Sequence, residues 1–417
     1  MSGYHARLSP SGASQYTVCS AAPIAQEGLP ERSGDITRSG TAGHQVFKEI
    51  LDSHGSALNY VGRVLHFGYH SDSDSHFESW TQNLADAVDW LHEVEITEQL
   101  AEHVDAAADF VRELHARVGG TIYTEIDVPI EQLTGETGAT GRADVIIIAQ
   151  GVVYVIDLKL GFVKVHASTA VSPGVRTPNL QLAKYALGAM AKYPARYTHA
   201  VLMVVQPTRH HISEHTISVE DLAVTAEFIR RAAAETRDNP TYRPEFVSCH
   251  YCRASGRCEP QYQRVMEIVS MPTSIGERYK HVSFVRDWAD ATEDLTKEAL
   301  LRGEIVQSDD GVAYKVVEGR GGHRYFTAPE KVEHELQFYL QEDQLYKPRK
   351  MQSVAQIEKI AKRKKDCPIP PEVWEDLKQT IAKPPGSPTV VPADDPRQSI
   401  VNSADGFDED YDLFGEM

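Results

Sequence analysis

Two acidic residues, a lysine and a histidine stand out first. The stretch Gly141-Arg142-Ala143-Asp144-Val145-Ile146-Ile147-Ile148-Ala149-Gln150-Gly151-Val152-Val153-Tyr154-Val155-Ile156-Asp157-Leu158-Lys159 holds two β-branched runs around a Gln150-Gly151 dipeptide. That pattern predicts a hairpin with a two-residue turn. With Ala149 paired to Val152, Asp144 falls opposite Asp157, on one face of the pair. Lys159, two residues on, points to the same face because strand side chains alternate. Two neighbouring carboxylates repel, and a divalent cation is the usual remedy. An ordinary ion-paired strand end is the other reading of the same pattern. Oxygen ligands of this kind suit Mg²⁺ or Mn²⁺.

A second chemical cluster is Cys249-His250-Tyr251-Cys252 with Cys258, a C-x2-C-x5-C array in a glycine-containing loop. Two thiols on one turn have metal-binding spacing, and Cys19 is the candidate fourth ligand. Cys367 stands apart. Five cysteines in all, an odd number, point to a reducing compartment and not to a disulfide framework.

The elements that must position these groups follow from periodicity. Ser9-Pro10-Ser11 opens a short helix expected to run to about Cys19, followed by a polar loop over 24–39. Gly40-Thr41-Ala42-Gly43-His44 opens a second helix, placing His44 near its start, with both glycines allowing close backbone approach. Residues 71–117 read as amphipathic acidic helices, and Thr121–Ile130 as a strand with Glu125 and Asp127 on one face. A loop over 161–178 carries Lys164, His166 and Arg176. The helix from Pro178 carries Gln181 and Tyr185 on one side, and 198–206 and 219–238 give a buried strand and another helix. The order implies an α/β fold with a mixed sheet flanked by helices. The expected domains are 1–270, then a mainly helical 271–383 with a hairpin at Asp309-Asp310-Gly311, then a Pro-rich linker and disordered acidic tail over 384–417.

Net charge is -18, which alone speaks against a nucleic-acid binder. Its location answers that. Residues 71–113 hold twelve acids and one arginine, and 393–417 hold eight acids and one arginine, so the rest of the chain is balanced. A cluster of cations and aromatics at 314–325 is a candidate for contact with phosphate or bases, a solvated surface hairpin being the other reading, and Lys362-Arg363-Lys364-Lys365 is a basic run within a helical stretch. No apolar run approaches the roughly 18 residues of a membrane span, and no signal-peptide pattern opens the chain. The expectation is a cytoplasmic protein with no membrane partner, and the tail residues Phe407, Tyr411, Leu413 and Phe414 are candidate anchors for another protein.

His44, Gly141-x-x-Asp144, Asp157-x-Lys159 and Gln181-x-x-x-Tyr185, in this order, resemble the RecB-like branch of the PD-(D/E)XK nucleases. The late C-x2-C-x5-C with a remote N-terminal cysteine is similar to the branch's iron–sulfur members, such as AddB-like and CRISPR-adaptation exonucleases. Residues 271–392 look like an uncharacterised phage-associated family of the same superfamily. The resemblance implies a restriction-endonuclease-like fold and a metal-dependent deoxyribonuclease, an exonuclease on single strands or duplex ends of DNA. It would serve phage or mobile-element recombination or replication, the tail recruiting a protein of that machinery. It implies His44, Asp144, Asp157 and the Leu158 carbonyl as metal ligands, and Asp144, Asp157, Lys159, Gln181 and Tyr185 as catalytic. It implies a 4Fe–4S cluster on Cys19, Cys249, Cys252 and Cys258, with structural Zn²⁺ as the chemical alternative. A non-catalytic nucleic-acid-binding or assembly factor is the alternative function.

Overall fold

The structure is a computed structural model that describes residues 6–29, 35–70, 75–79, 90–172, 175–319, 324–347, 350–361, 368–382, 386, 388–392 and 397–400. It divides into two compact units, Met1–Trp288 and Ala289–Met417.

The first unit is built on a five-stranded mixed sheet. Its early elements are α1 (Ala13–Tyr16), α2 (Ala22–Ala25) and α3 (Asp35–Ser53). Strands β1 (Val64–His70), β2 (Ser75–Ser79) and β3 (Trp90–Glu95) form a small antiparallel sheet. Then come α4 (Glu98–Val118), β4 (Thr121–Pro129), α5 (Glu131–Thr134), β5 (Thr140–Ala149) and β6 (Val152–Leu158). A hairpin of β7 (Ser168–Ser172) and β8 (Val175–Pro178) precedes α6 (Leu180–Lys192), β9 (His199–Gln206), β10 (His211–Ser218) and α7 (Val219–Asp238). Short α8 (Phe246–Cys249) and α9 (Glu259–Ser270) carry the late cysteines. The central order is β10-β9-β6-β5-β4, with β6 and β9 parallel and the other neighbours antiparallel.

Both faces of that sheet are covered, which is why β5, β6 and β9 are nearly continuous apolar runs. Val145, Ile147, Ile156, Leu158, Val201 and Met203 pack with α3 and α4. Ile146, Val153, Val155, Leu202 and Val204 pack with the alanine-rich face of α6. Gly188 of α6 lies so near β4 that a Cβ there would stand 2.8 Å from the Pro129 carbonyl.

The hairpin forms as its sequence requires. Gln150 and Gly151 have φ of 50° and 77°, the left-handed pair of a type I′ turn, and Ala149 pairs with Val152. Other expectations are corrected. The first helix is one turn, Ala13–Tyr16, because the backbone continues into turns before Cys19. The next long helix opens at Asp35, so His44 lies mid-helix. Before residue 98, the described residues Ser75–Ser79 and Trp90–Glu95 are the strands β2 and β3 and not helices, and residues 71–74 and 80–89 of the expected helices lie outside the described residues. The 161–178 loop contains a hairpin, and β10 was not foreseen.

The second unit has its own core of Phe326, Val332, Leu336, Leu345, Ile357, Trp374 and Leu377. Helix Val282–Leu301 runs much as its periodicity indicates. A short hairpin closes around Asp309-Asp310-Gly311, with Gln307 bridged to Ala313 and the Tyr314 amide donating to the Val306 carbonyl at 3.0 Å, and the arm Tyr314–Glu318 then pairs with Pro388–Pro392, which the sequence places in a linker. Of the basic cluster, Arg324 is paired with Glu358 at 2.5 and 2.6 Å. Residues 320–323, the Lys362–Lys365 run, Cys367 and the tail 401–417 with its anchors lie outside the described residues.

Candidate active site and cysteine cluster

The site forms at one end of the sheet, where β4, β5 and β6 bring three carboxylates into one row. The β5–β6 register runs to Val145↔Ile156, so Asp144 and Asp157 are the next opposed residues. On the other side, the β4–β5 register brackets Glu125 between Thr124↔Val145 and Ile126↔Ala143, level with Asp144. Asp144 thus has a carboxylate on each flank. One of its oxygens accepts the Leu158 amide at 2.7 Å, and this fixes the Leu158 peptide beside the site.

From the α3 side, His44 brings Nδ1 to 3.4 Å from Asp144 and 3.9 Å from Glu125. Helix α3 approaches the chain after β6 closely at Gly43, where a Cβ would meet Leu160 at 2.2 Å, whereas Gly40 has open space. His44, Glu125 and Asp144 offer donor atoms within 4.8 Å of one another, the group among the described residues with metal-site geometry. Glu125 was only a candidate neighbour by sequence. Its backbone has φ of 44°, a conformation costing a non-glycine residue roughly 1 kcal/mol or more. Its Oε1 is buried without a hydrogen-bond partner. A strained residue holding an unsatisfied carboxylate oxygen toward an imidazole and a second carboxylate fits a cation ligand.

From the α6 side, Asp157 is almost fully buried and has both oxygens engaged. Lys159 Nζ lies 2.8 Å from Oδ2, and Gln181 Nε2 donates to Oδ1 at 3.1 Å. Gln181 also bridges Lys159, through Oε1 at 3.5 Å, and the Tyr185 hydroxyl, at 3.2 Å from Nε2. The Asn179 side chain caps α6 by accepting the Gln181 and Leu182 amides, which sets the position of Gln181. Tyr185 is buried in the core under α6. All the sequence-derived site residues therefore converge, but in two sets. His44, Asp144 and Glu125 form one, and Asp157, Lys159, Gln181 and Tyr185 the other.

Electrostatics couples the sets. Burial opposes charge on His44, yet Asp144 and Glu125 outweigh it and lift the imidazole to about 9. Burial, aided by Asp144, lifts Glu125 to about 7. Burial also raises Asp157, whereas His44 and Lys159 overcome burial at Asp144 and hold that carboxyl low. Burial opposes the Lys159 charge, but Asp157 and Asp144 keep its pKa high, with Tyr251 close enough to contribute. The three carboxylates face Lys159 and the His44 imidazolium, and a divalent cation would take the place of the His44 proton as their counter-charge. A cavity of about 420 Å³ opens beside His44, Glu125 and Asp144, with Lys48 and Arg142 also on its wall. Arg142 is itself held by Asp127, at 3.2 Å.

The four cysteines lie together. Cys19, Cys249, Cys252 and Cys258 are free thiols around one cavity, although more than two hundred positions separate the first from the rest. Burial pushes Cys249 up to about 12, and it raises Cys252 and Cys258 as well. Thiols buried side by side suit metal, because coordination supplies the thiolate that burial alone disfavours. The segments around them are knitted by hydrogen bonds from Gln15 to the Ser248 carbonyl, Ala21 to the Thr241 carbonyl, and Arg253 to the Gln26 side chain.

A sequence-family model described as "Protein of unknown function (DUF2800)" matches residues 5–398, nearly the whole chain. The chain belongs to the DUF2800 family. A solved structure titled "Crystal structure of SSO0001" is similar over 37% of this chain and 67% of that one, at 21% identity and a TM-score of 0.21. Among the described residues, no helix is long and apolar enough to cross a membrane.

Proposed function

We propose that this DUF2800 protein is a metal-dependent deoxyribonuclease of the RecB-like PD-(D/E)XK type. The observation that carries the reading is the convergence of His44, Glu125 and Asp144 with the Asp157–Lys159 pair at one sheet end. A Mg²⁺ or Mn²⁺ ion held there would supply Lewis acidity to a scissile phosphate and a more acidic water. His44, Glu125 and Asp144 would hold the ion, with Asp157 and the Leu158 peptide adjoining. Lys159, fixed in the ammonium form by Asp157, would place its charge on the attacking water or on the phosphate oxygen where charge develops. Gln181 fixes both members of that pair, and Tyr185 anchors Gln181.

A 4Fe–4S cluster on the four cysteines belongs to the same proposal. Tetrahedral zinc on the same four thiolates is the chemical alternative. Action on DNA ends or single strands during phage or mobile-element recombination, and a replication or recombination partner for the acidic tail, extend the proposal.

The test is degradation of end-labelled single- and double-stranded DNA with Mg²⁺ or Mn²⁺ by wild type, Asp144→Asn and Lys159→Ala. Metal-dependent cleavage by wild type, reduced by roughly a thousandfold in each variant, is expected for loss of several kcal/mol of transition-state stabilisation. Equal activity in all three proteins would refute the nuclease and leave a nucleic-acid-binding or assembly factor as the reading.

A further inference from the structure

The chain between β6 and α6 carries a group of cations that the proposed chemistry leaves unused. Lys164, His166 and Arg176 are exposed, and the His166 ring meets His211 of β10 edge-on, with centroids 5.0 Å apart. Arg176 donates from Nε to the Ser168 hydroxyl at 2.7 Å and from Nη2 to the Ser168 carbonyl at 3.0 Å. Both partners are neutral, so the guanidinium keeps its charge uncancelled. His211 Nε2 lies 2.9 Å from the Val165 carbonyl, and Ser213 Oγ accepts the Ala167 amide at 3.0 Å. These contacts set the loop against one face of β10. Glu214 is the only acid between Leu158 and Ile217, against seven lysines and arginines, and strand alternation turns it to the other face. Burial, then His211, Lys164 and Arg176, lower the His166 imidazole, and among the described residues no carboxylate offsets them.

Hydrogen bonds tie this face to the candidate site at both ends. The Lys159 amide donates to the Val205 carbonyl at 2.9 Å, and the next residue, the buried Gln206, holds the loop. Its Nε2 donates to the carbonyls of Gly161 and Val163 at 2.7 and 2.8 Å, and its Oε1 accepts the Val165 amide at 3.2 Å. At the other end, Asn179 Nδ2 donates to the His166 carbonyl at 3.2 Å, while Oδ1 of the same side chain accepts the Gln181 amide. The cations therefore lie on a fixed backbone that runs outward from Lys159 and Gln181. Phe162 sits between the two carbonyls that Gln206 holds, and its ring is 65% exposed. Cations crowded together without an acid, in a chain of net charge -18, call for a polyanion. A fixed, exposed ring at their edge suits a base better than it suits an acidic peptide.

We propose that Lys164, His166, Arg176 and His211 bind the phosphate backbone of a nucleic-acid strand leaving the candidate site, with Phe162 against one of its bases. The inference rests on the nuclease reading for the strand's course, and its test reads binding apart from cleavage. The full chain is titrated with a labelled oligothymidylate and with a duplex of equal length, in Ca²⁺ in place of Mg²⁺ or Mn²⁺, at rising salt. Wild-type log affinity should fall linearly with log salt. Lys164→Gln should make that slope shallower by about 0.7 on the single strand or about 0.9 on the duplex, the change for one lost phosphate contact. The probe that shows the change tells which form lies on the face. Lys164→Arg should restore the slope. Arg196→Gln, which removes an exposed cation beside the β5–β6 turn, should leave it as it was. Phe162→Ala should weaken single-strand binding at every salt by roughly 5- to 150-fold, without changing the slope. An unchanged slope in Lys164→Gln on both probes would overturn the proposal. So would displacement of the strand by polyglutamate as readily as by unlabelled strand, which would make the face a site for acidic peptides. Cleavage in Mn²⁺ is followed on the same proteins. The expected slope changes without any cleavage would refute the nuclease and support the face, and cleavage with unchanged slopes would do the reverse.

Discussion

Lys184 gives the prediction with the clearest magnitude. It follows the site helix's Gln181 by three residues, precedes Tyr185 and is fully buried. Its ammonium donates to the carbonyls of Leu8 at 2.6 Å and Ser9 at 3.3 Å and to the Tyr16 hydroxyl at 3.1 Å. Burial lowers it from 10.5 to about 7, against a smaller pull from Glu136. A lysine depressed in the fold is protonated more readily in the unfolded chain. Stability therefore rises with pH between the folded and unfolded values, and the gain is absent below the folded one. Raising pH from 7 to about 9 should add about 2 kcal/mol from this group alone. Lys184→Met keeps the unbranched chain, removes the proton and leaves three oxygens without that donor. The measurement is urea unfolding of both proteins at pH 7, 8 and 9, the difference between them isolating Lys184 from other titrating groups. The wild-type curve should climb relative to the variant. Parallel curves would show that the three acceptors keep the ammonium charged in the fold and that burial does not dominate there.

Three other outcomes are expected. Glu125→Gln preserves shape and removes the unsatisfied oxygen's charge, so Mn²⁺ affinity by calorimetry should drop at least about tenfold; unchanged affinity would remove Glu125 from the ligand set. Gln181→Leu deletes the bridge among Asp157, Lys159 and Tyr185, and should slow cleavage roughly 10- to 100-fold while leaving Mn²⁺ affinity as it was. Wild type purified without oxygen should be brown and Cys249→Ser colourless, with a lower melting temperature, about 2–4 °C per kcal/mol for a unit of this size. Colourless wild type with stoichiometric zinc would replace the cluster by zinc.

Which parts were legible depended on how local the signal was. The β5–β6 hairpin was readable because Gln150-Gly151 dictates its turn, and the turn dictates the register that sets Asp144 against Asp157. Helix α7 was readable from its period and its Ser218 cap. The cysteines were readable from their spacing. Glu125 was not, because its place depends on the β4–β5 register across a long connection and on a left-handed backbone that its residue type does not announce. The strands before α4 were misread because a run of acids with scattered apolar residues fits a solvated helix face as well as a strand edge.

The N-terminal segment joins the two clusters, and this explains the glycine of Gly141-x-x-Asp144. A Cβ at Gly141 would stand 2.3 Å from Pro10 Cγ and 3.2 Å from the Tyr185 ring, so β5 accepts the segment's passage only without a side chain there. The segment is held over that point by Lys184 and by Glu136, whose carboxylate accepts the Leu8 amide at 3.2 Å. It then turns through α1, whose Tyr16 is buried beside Ala232 and Ala233 of α7, and ends at Cys19 in the thiol cavity. A ligand drawing Cys19 toward Cys249, Cys252 and Cys258 therefore holds taut the segment that presses on Gly141 and Tyr185, three residues from Asp144 and four from Gln181. On the proposed reading, a cluster on the four cysteines would steady the candidate site through this packing.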